Sequence, residues 1–509
     1  MNLFKTILIF MITISIWGAD NSKIVSEETI SLKNEVIRFS LMEGYFRTTA
    51  FYRNNFDLDS YYKEGEKTFG SSRHKPTIKE IKDKRIDLST VSYNLRFRLS
   101  PSIQVGEYLK AITTFDIFDN TLWGTDSSLL KAKEGYLVAK SPFGLFKFGR
   151  MATNWGMGIF RNDGKGKFAN FGTYVDQAYF EKEMPIAFLK HFKFAAAYEV
   201  NNSSISANNN INYDLEDSDD TTSYSLYLSD NMTGELLDEY LDLGKTRFNW
   251  SFIFNYTSRD MKTSYNLDTA TNSYSTSFDI YPESYYTFDL ASSLFVGNRF
   301  KLKTELMFKM GDYTAKDPED DTKTKKECFK QLLFVAEDEY VVYQKTVGFG
   351  LDFGLSYSKD SQKNIDDPYN ILNKNYDRGN LSFSRDYDID LIFFKEISRE
   401  NNVYFLKPHF KWRINQEFAL DLWNVTTLAL DKDKTFGKDL YLGTEFDLRI
   451  QYLNRDGLNF GIMTGLYLPG KGMDWLGKNK ERDSKDTGKN ADYAAHYATT
   501  IQAFMILKF

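Results

Sequence analysis

From Leu440 to Tyr452 the chain alternates without a break. Leu440, Leu442, Thr444, Phe446, Leu448, Ile450 and Tyr452 fall on one side, with Tyr441, Gly443, Glu445, Asp447, Arg449 and Gln451 on the other. A period of two puts successive side chains on opposite faces of a β-strand. Phe410, Trp412, Ile414, Phe418, Leu420 and Leu422 repeat the pattern against Lys411, Arg413, Asn415, Glu417 and Asp421. Similar runs contain Phe248/Trp250/Phe252/Phe254/Tyr256, Val347/Phe349/Leu351/Phe353/Leu355/Tyr357 and Tyr387/Ile389/Leu391/Phe393. Ordinary strands run about five or six residues, and several of these are long enough to cross a bilayer with tilt. In lipid every backbone group needs a partner, which a closed sheet supplies without an edge. The expected fold is all-β: a transmembrane antiparallel β-barrel with short periplasmic turns and long outer loops.

The counts fit that reading and exclude others. Among 509 residues there are 43 Phe and 33 Tyr but only 9 Pro, and aromatic side chains suit a pleated, half-buried surface. A mean hydropathy of −0.46 argues against a polytopic helical membrane protein. A net charge of −6 gives no reason to expect nucleic acid as a partner. One cysteine excludes an internal disulfide and a cysteine-based metal site, and His74, His191, His409 and His496 are scattered outside any metal-ligand spacing. Catalytic residues, cofactors and metals are therefore not expected. Lys5, the apolar run to Trp17 and Gly18-Ala19 have the layout of a secretion signal. The expected organisation is a signal peptide over 1–19, a short periplasmic segment over 20–35 and a barrel over 36–509.

Parity counts the strands, because short periplasmic turns and long outer loops must alternate. Short turns are expected at Ser100-Pro101, Ser141-Pro142, Val296–Arg299, Arg399–Asn402 and Asn454–Gly457. Long polar loops are expected at 51–87, 119–132, 151–173, 259–282, 359–378, 422–436 and 469–492. The alternation first breaks at 201–244 and 313–340. Strands at Thr222–Ser229 and Glu327–Ala336 repair it, although the second is apolar on both faces. The count is then about eighteen, with sixteen as the alternative. Residues 231–244 have the pattern of a short periplasmic helix ended by Gly244. The final strand, with Ile501, Ala503, Met505 and Leu507 on one face, ends on Phe509. This resembles the terminal aromatic signal read by the assembly machinery of bacterial outer-membrane barrels.

A barrel of this size is too wide for its own side chains to fill, so water, a plug or an inward loop must occupy it. The third outer loop is the candidate, running from Arg150 through Trp155-Gly156-Met157-Gly158 and Arg161-Asn162-Asp163-Gly164 to Lys165 and Lys167. Glycines allow close backbone approach, and the tryptophan needs a surface to bury against. Gly149-Arg150, Trp155-Gly156-x-Gly158 and Asn162-Asp163-Gly164 resemble a poorly characterised family of outer-membrane barrels from deltaproteobacteria and their relatives. The layout is also similar to general porins, whose third loop forms a constriction.

If apolar faces meet lipid, Arg96, Arg98, Lys301, Lys303, Glu305, Asp386, Asp388, Asp390, Lys411, Arg413, Glu417, Glu445, Asp447 and Arg449 point into the lumen. Basic residues weigh more in early strands and acidic ones in several late strands, so facing walls of opposite sign would set a transverse field. The other reading is that these charges pair and hydrate the lumen. The acidic runs Asp214–Asp220 and Asp317–Asp321 suit solvated outer loops, or lipopolysaccharide bridged by divalent ions. The function expected is a porin-like outer-membrane channel for passive diffusion of small hydrophilic solutes. The alternatives are a receptor or adhesin using its outer loops, or a barrel lipid hydrolase. Expected partners are outer-membrane lipid and lipopolysaccharide, the barrel-assembly machinery and the solute; a homo-oligomer is compatible.

Overall fold

The computed structural model describes residues 28–56, 90–122, 130–202, 220–259, 283–359, 383–397, 402–476 and 492–509. Positions 33–34, 170–171, 185, 187–188, 318–319, 343–345, 385, 433–434, 436, 455–456 and 494 fall outside this description. The signal peptide expected at 1–19 lies outside the described residues, as do residues 214–219 of the first acidic run.

Strands β1 (Glu28–Leu32) and β2 (Glu35–Asn54) form an N-terminal hairpin. The wall continues through β3 (Thr90–Val105), β4 (Leu109–Leu122), β5 (Leu130–Ser141), β6 (Gly144–Ala152), β7 (Tyr174–Glu183), β8 (Phe192–Asn202) and β9 (Asp220–Asp230). A short helix, α1 (Glu235–Asp242), precedes β10 (Thr246–Arg259), β11 (Glu283–Val296), β12 (Phe300–Asp317), β13 (Asp320–Val342) and β14 (Val347–Ser358). The last strands are β15 (Val403–Arg413), β16 (Phe418–Ala429), β17 (Tyr441–Leu453), β18 (Leu458–Pro469) and β19 (Ala498–Lys508). Each strand pairs antiparallel with the next, and β19 pairs back onto β2 from Tyr45↔Lys508 to Asn54↔Thr499. Strands β2 to β19 thus close a ring of eighteen with no free edge. Strand β1 pairs with the part of β2 below Tyr45, extending the edge that β19 leaves.

The wall is apolar outside and polar inside. Phe248, Phe349, Phe446 and Ile462 are 50–55% exposed on the outer face. Asn249, Asn255, Asp289, Glu305 and Asp447 are buried on the inner one. Water-soluble proteins bury apolar residues and expose polar ones; this wall does the reverse, as lipid outside and a filled lumen inside require.

Besides the loop expected at 422–436, whose first residues to Ala429 belong to β16, three stretches differ from the sequence reading. Ser100-Pro101 lies within β3, and the turn comes at Gly106–Tyr108, where Gly106 has φ +60°. Proline is tolerated there because β2 bulges between Leu41 and Glu43 directly opposite. Residues 313–326 are not an open loop: β12 and β13 pair out to Asp317↔Asp320, and strands beyond the bilayer need no apolar face. Residues 387–393 are not a wall strand either. The third stretch also moves a turn, from 399–402 to 414–417, so 410–422 is two strands. The two changes cancel, which keeps the count at eighteen.

Candidate functional site

Two segments cross the space that the wall encloses. The first follows β6. Its backbone is tightened by Gly158 N–H donating to Trp155 O at 2.9 Å and Trp155 N–H to Arg161 O at 3.1 Å. Asn162 Oδ1 accepts Gly164 N–H and Asp163 Oδ1 accepts Lys165 N–H, both at 3.0 Å, so these side chains shape turns within the segment.

Lumen-facing side chains hold this segment from several sides. Tyr45 Oη donates to Lys167 O (2.8 Å), and Arg47 and Arg96 both donate to Ala169 O (3.0 and 2.9 Å). Arg98 reaches Gly164 O at 3.4 Å while its other nitrogens clasp Asp116 at 2.6 and 2.8 Å. Farther round the wall, Arg161 forms a two-pronged pair with Glu199 (2.8 and 2.9 Å). Burial opposes the charge on Arg161, but the Glu199 carboxylate holds the guanidinium firmly protonated. The Trp155 ring packs on Tyr227 with centroids 5.5 Å apart. Met157 N–H donates to Glu305, and a Cβ on Gly156 (φ +56°) would collide with the Glu305 carboxylate. Lys165 Nζ lies 3.7 Å from Glu134. Burial, then the nearby cations Lys508 and Arg449, lower the Lys167 ammonium from its ordinary range.

Arg150 stands apart. It shares the outward parity of Phe148 and pairs with Asp176, its register partner, at 3.3 Å. It belongs to the outer face, because Met151 takes the inward position next to it.

The second segment, 383–397, carries Asp386, Asp388 and Asp390, so these are not wall residues. Glu445 on β17 accepts Leu391 N–H and Phe393 N–H, both at 2.9 Å. Asp390 accepts Phe394 N–H at 2.9 Å, and Ile397 N–H reaches back to Ile392 O at 3.0 Å, winding one wide turn. Tyr387 Oη donates to Glu337 at 2.6 Å, Lys407 Nζ to Asp388 O at 2.6 Å, and Arg53 pairs with Glu396 at 2.8 Å. The two segments touch where Ser384 N–H donates to Ile159 O at 2.7 Å.

Between them lies an apolar core. Ile159, Ile389, Leu391, Ile392 and Phe393 pack with Met307, Leu333, Val335, Val403, Phe405 and Ile506, all fully or almost fully buried. Phe393 stacks on Tyr467 at 5.2 Å. The 383–397 segment was missed from sequence, as were its anchors Glu337 and Glu445 in that role. The visible trace was the stretch within β13 whose two faces are both apolar: Leu333 and Val335 point inward because Ile389 and its neighbours lie there.

Lys301, Lys303, Glu445, Asp447 and Arg449 face the lumen from β12 and β17. Arg413 sits exposed at the end of β15, and Glu417 belongs to the turn before β16 rather than to the lumen wall. Charges pair locally on adjacent strands, as in Arg98–Asp116 at 2.6 Å and Arg449–Asp421 at 2.8 Å. The expected opposition of a basic and an acidic wall is therefore not what the pairs form. Phe509 closes the ring: its N–H donates to Gly44 O (3.0 Å) and its carbonyl accepts Gly44 N–H (2.8 Å).

No protein-family model matches the chain, and no curated protein matches its sequence. The resemblance to deltaproteobacterial barrels thus remains one of loop residues alone. Among solved structures, the chain is similar to the outer-membrane channel DcaP of Acinetobacter baumannii, with 11% identity, 94% of this chain and 99% of that one covered, and a TM-score of 0.41. OccAB3 of the same organism is 8% identical over 94% of this chain and all of that one, with a TM-score of 0.45. An anion-selective porin from Comamonas acidovorans is 11% identical over 92% and 100%, with a TM-score of 0.42.

Proposed function

We propose that this protein is a porin-like channel of the bacterial outer membrane, passing small hydrophilic solutes by passive diffusion. The observation that carries the reading is the inverted wall. Eighteen strands with lipid-suited residues outside enclose a space lined by charged and hydrogen-bonding side chains. Selection in such a channel rests on width and charge rather than on bond-making. The segments at 153–172 and 383–397 narrow the path. Trp155, Arg161, Asn162, Asp163, Lys165 and Lys167 belong to the first constriction; Asp388 and Asp390 belong to the second.

On this reading a signal peptide at 1–19 delivers the chain, Phe509 is read by the assembly machinery, and the outer face meets lipid and lipopolysaccharide. The test is single-channel current of the refolded full chain in a planar bilayer under a salt gradient. Stable steps are expected, and deleting Trp155–Lys167 should enlarge them while the barrel stays folded and heat-modifiable. A folded but silent barrel would overturn the channel reading and move the receptor reading ahead. An unchanged current in the deletion variant would overturn the constriction.

A further inference from the structure

Below the 383–397 segment, toward the periplasmic turns, the lumen contains a cavity of about 210 Å³. Its lining carries five cationic and six anionic side chains, His409 aside. A wall so nearly balanced gives little net attraction to an ion of either sign. What it offers is charges of both signs close together.

Most of these charges are already matched. Arg449 pairs with Asp421 at 2.8 Å, Lys411 with Glu339 at 3.0 Å and Lys407 with Asp352 at 3.8 Å. Four are not. Among the described residues Lys301, Lys303, Glu337 and Asp338 have no ion-pair partner within 4.0 Å, although Lys303 and Glu337 are register partners on β12 and β13; Asp338 instead accepts Leu351 N–H at 2.9 Å. Glu337 accepts only the Tyr387 hydroxyl. Three further polar atoms in the lining, Asp352 Oδ1, His409 Nε2 and Trp423 Nε1, are buried without a hydrogen-bond partner, a cost usually met by a water or a ligand. The indole of Trp423 offers little face for stacking a sugar, because Lys407 and Arg449 lie over it at 5.7 and 5.3 Å.

We propose that this cavity is a binding site for small zwitterions, with the solute carboxylate toward Lys301 and Lys303 and its ammonium group toward Glu337. A zwitterion matches the spare charges of both signs without adding net charge, which acetate, an alkylammonium ion or a polyol cannot do. The inference rests on the channel reading, because the solute reaches the cavity along the lumen.

The probe is β-alanine, titrated calorimetrically into the detergent-solubilised full-length barrel and, separately, added during bilayer recording. Saturable millimolar binding is expected, with acetate, ethylammonium and glycerol failing to saturate. Lys303→Met and Glu337→Gln should each weaken it at least tenfold, and the exchange Lys303→Glu with Glu337→Lys should restore part of it. No saturable binding by the folded wild-type barrel would overturn the site, as would binding unchanged in both single variants. Saturation by a barrel that passes no current would keep the site and refute the channel; current without saturable binding would do the opposite.

Discussion

The Arg161–Glu199 pair is the sharpest test of how the first segment is held. Glu199 is 2% exposed and takes both guanidinium nitrogens at 2.8 and 2.9 Å, together with Ser225 Oγ at 3.1 Å and Tyr227 Oη at 2.9 Å. Arg161→Met removes the only cation of this group and leaves a buried carboxylate with two neutral donors. Breaking one side of a buried pair costs about 3–5 kcal/mol, and the remaining donors place this case near the lower end. At about 1.4 kcal/mol per tenfold, roughly 3 kcal/mol raises the opening equilibrium of the segment more than a hundredfold. Hydrogen exchange followed by mass spectrometry reads this on the amides of Trp155, Gly158 and Thr173, each hydrogen-bonded in the folded segment. The double variant Arg161→Met, Glu199→Gln should recover most of the protection, since it removes the stranded charge along with its partner. If the single and double variants exchange equally fast, or the single variant exchanges like wild type, charge pairing does not hold this segment.

Phe509→Ala keeps the backbone pairing with Gly44 but removes the ring that packs over it. Because that ring is half exposed, a loss of about 1–2 kcal/mol is expected rather than the full cost of a core Phe→Ala. A lower yield of heat-modifiable barrel on refolding into vesicles would follow; equal yields would remove Phe509 from assembly. Asp390 is buried, and burial followed by the Glu445 carboxylate raises its carboxyl well above the ordinary range. Asp447 on β17 and Lys407 on β15 also face it. A raised carboxyl contributes its stability below the unfolded value and loses it as pH climbs through the folded one. Protection of the Phe394 and Lys395 amides should therefore fall as pH rises, and Asp390→Asn should flatten that dependence; a matching slope in the variant would discard the explanation.

The wall was legible because lipid imposes a strict rule on it. Residues such as Phe248, Leu351 and Ile462 must face outward wherever their strand lies, so a period of two survives any tertiary detail. The lumen obeys no such rule. Its inward positions accept arginine, carboxylate or methionine, according to what packs against them from inside. Arg96 looks like a lumen charge in sequence, yet in the structure it binds the Ala169 carbonyl beside Arg47, which holds the carbonyls of Lys167 and Ala169. No local pattern shows that those carbonyls are there.

The same reasoning explains how a strand could be misplaced while the count stayed right. Ile389, Leu391 and Phe393 alternate with Asp388 and Asp390, which is what a lipid-facing strand would show. Ile392 breaks the strand reading, since it is as buried as its odd-numbered neighbours Leu391 and Phe393. An apolar core inside the barrel and lipid outside it both reward apolar residues, and periodicity over seven residues does not separate them. Parity then forces a second error: with one spurious strand before Val403, the turn at 414–417 has to disappear for loops and turns to keep alternating. Closure thus protects the number of strands against paired mistakes without protecting their identity. The discriminating clue lies on the partner wall, where an inward face that is itself apolar, as at Leu333, Val335, Val403 and Phe405, means that a segment has been drawn into the lumen to cover it.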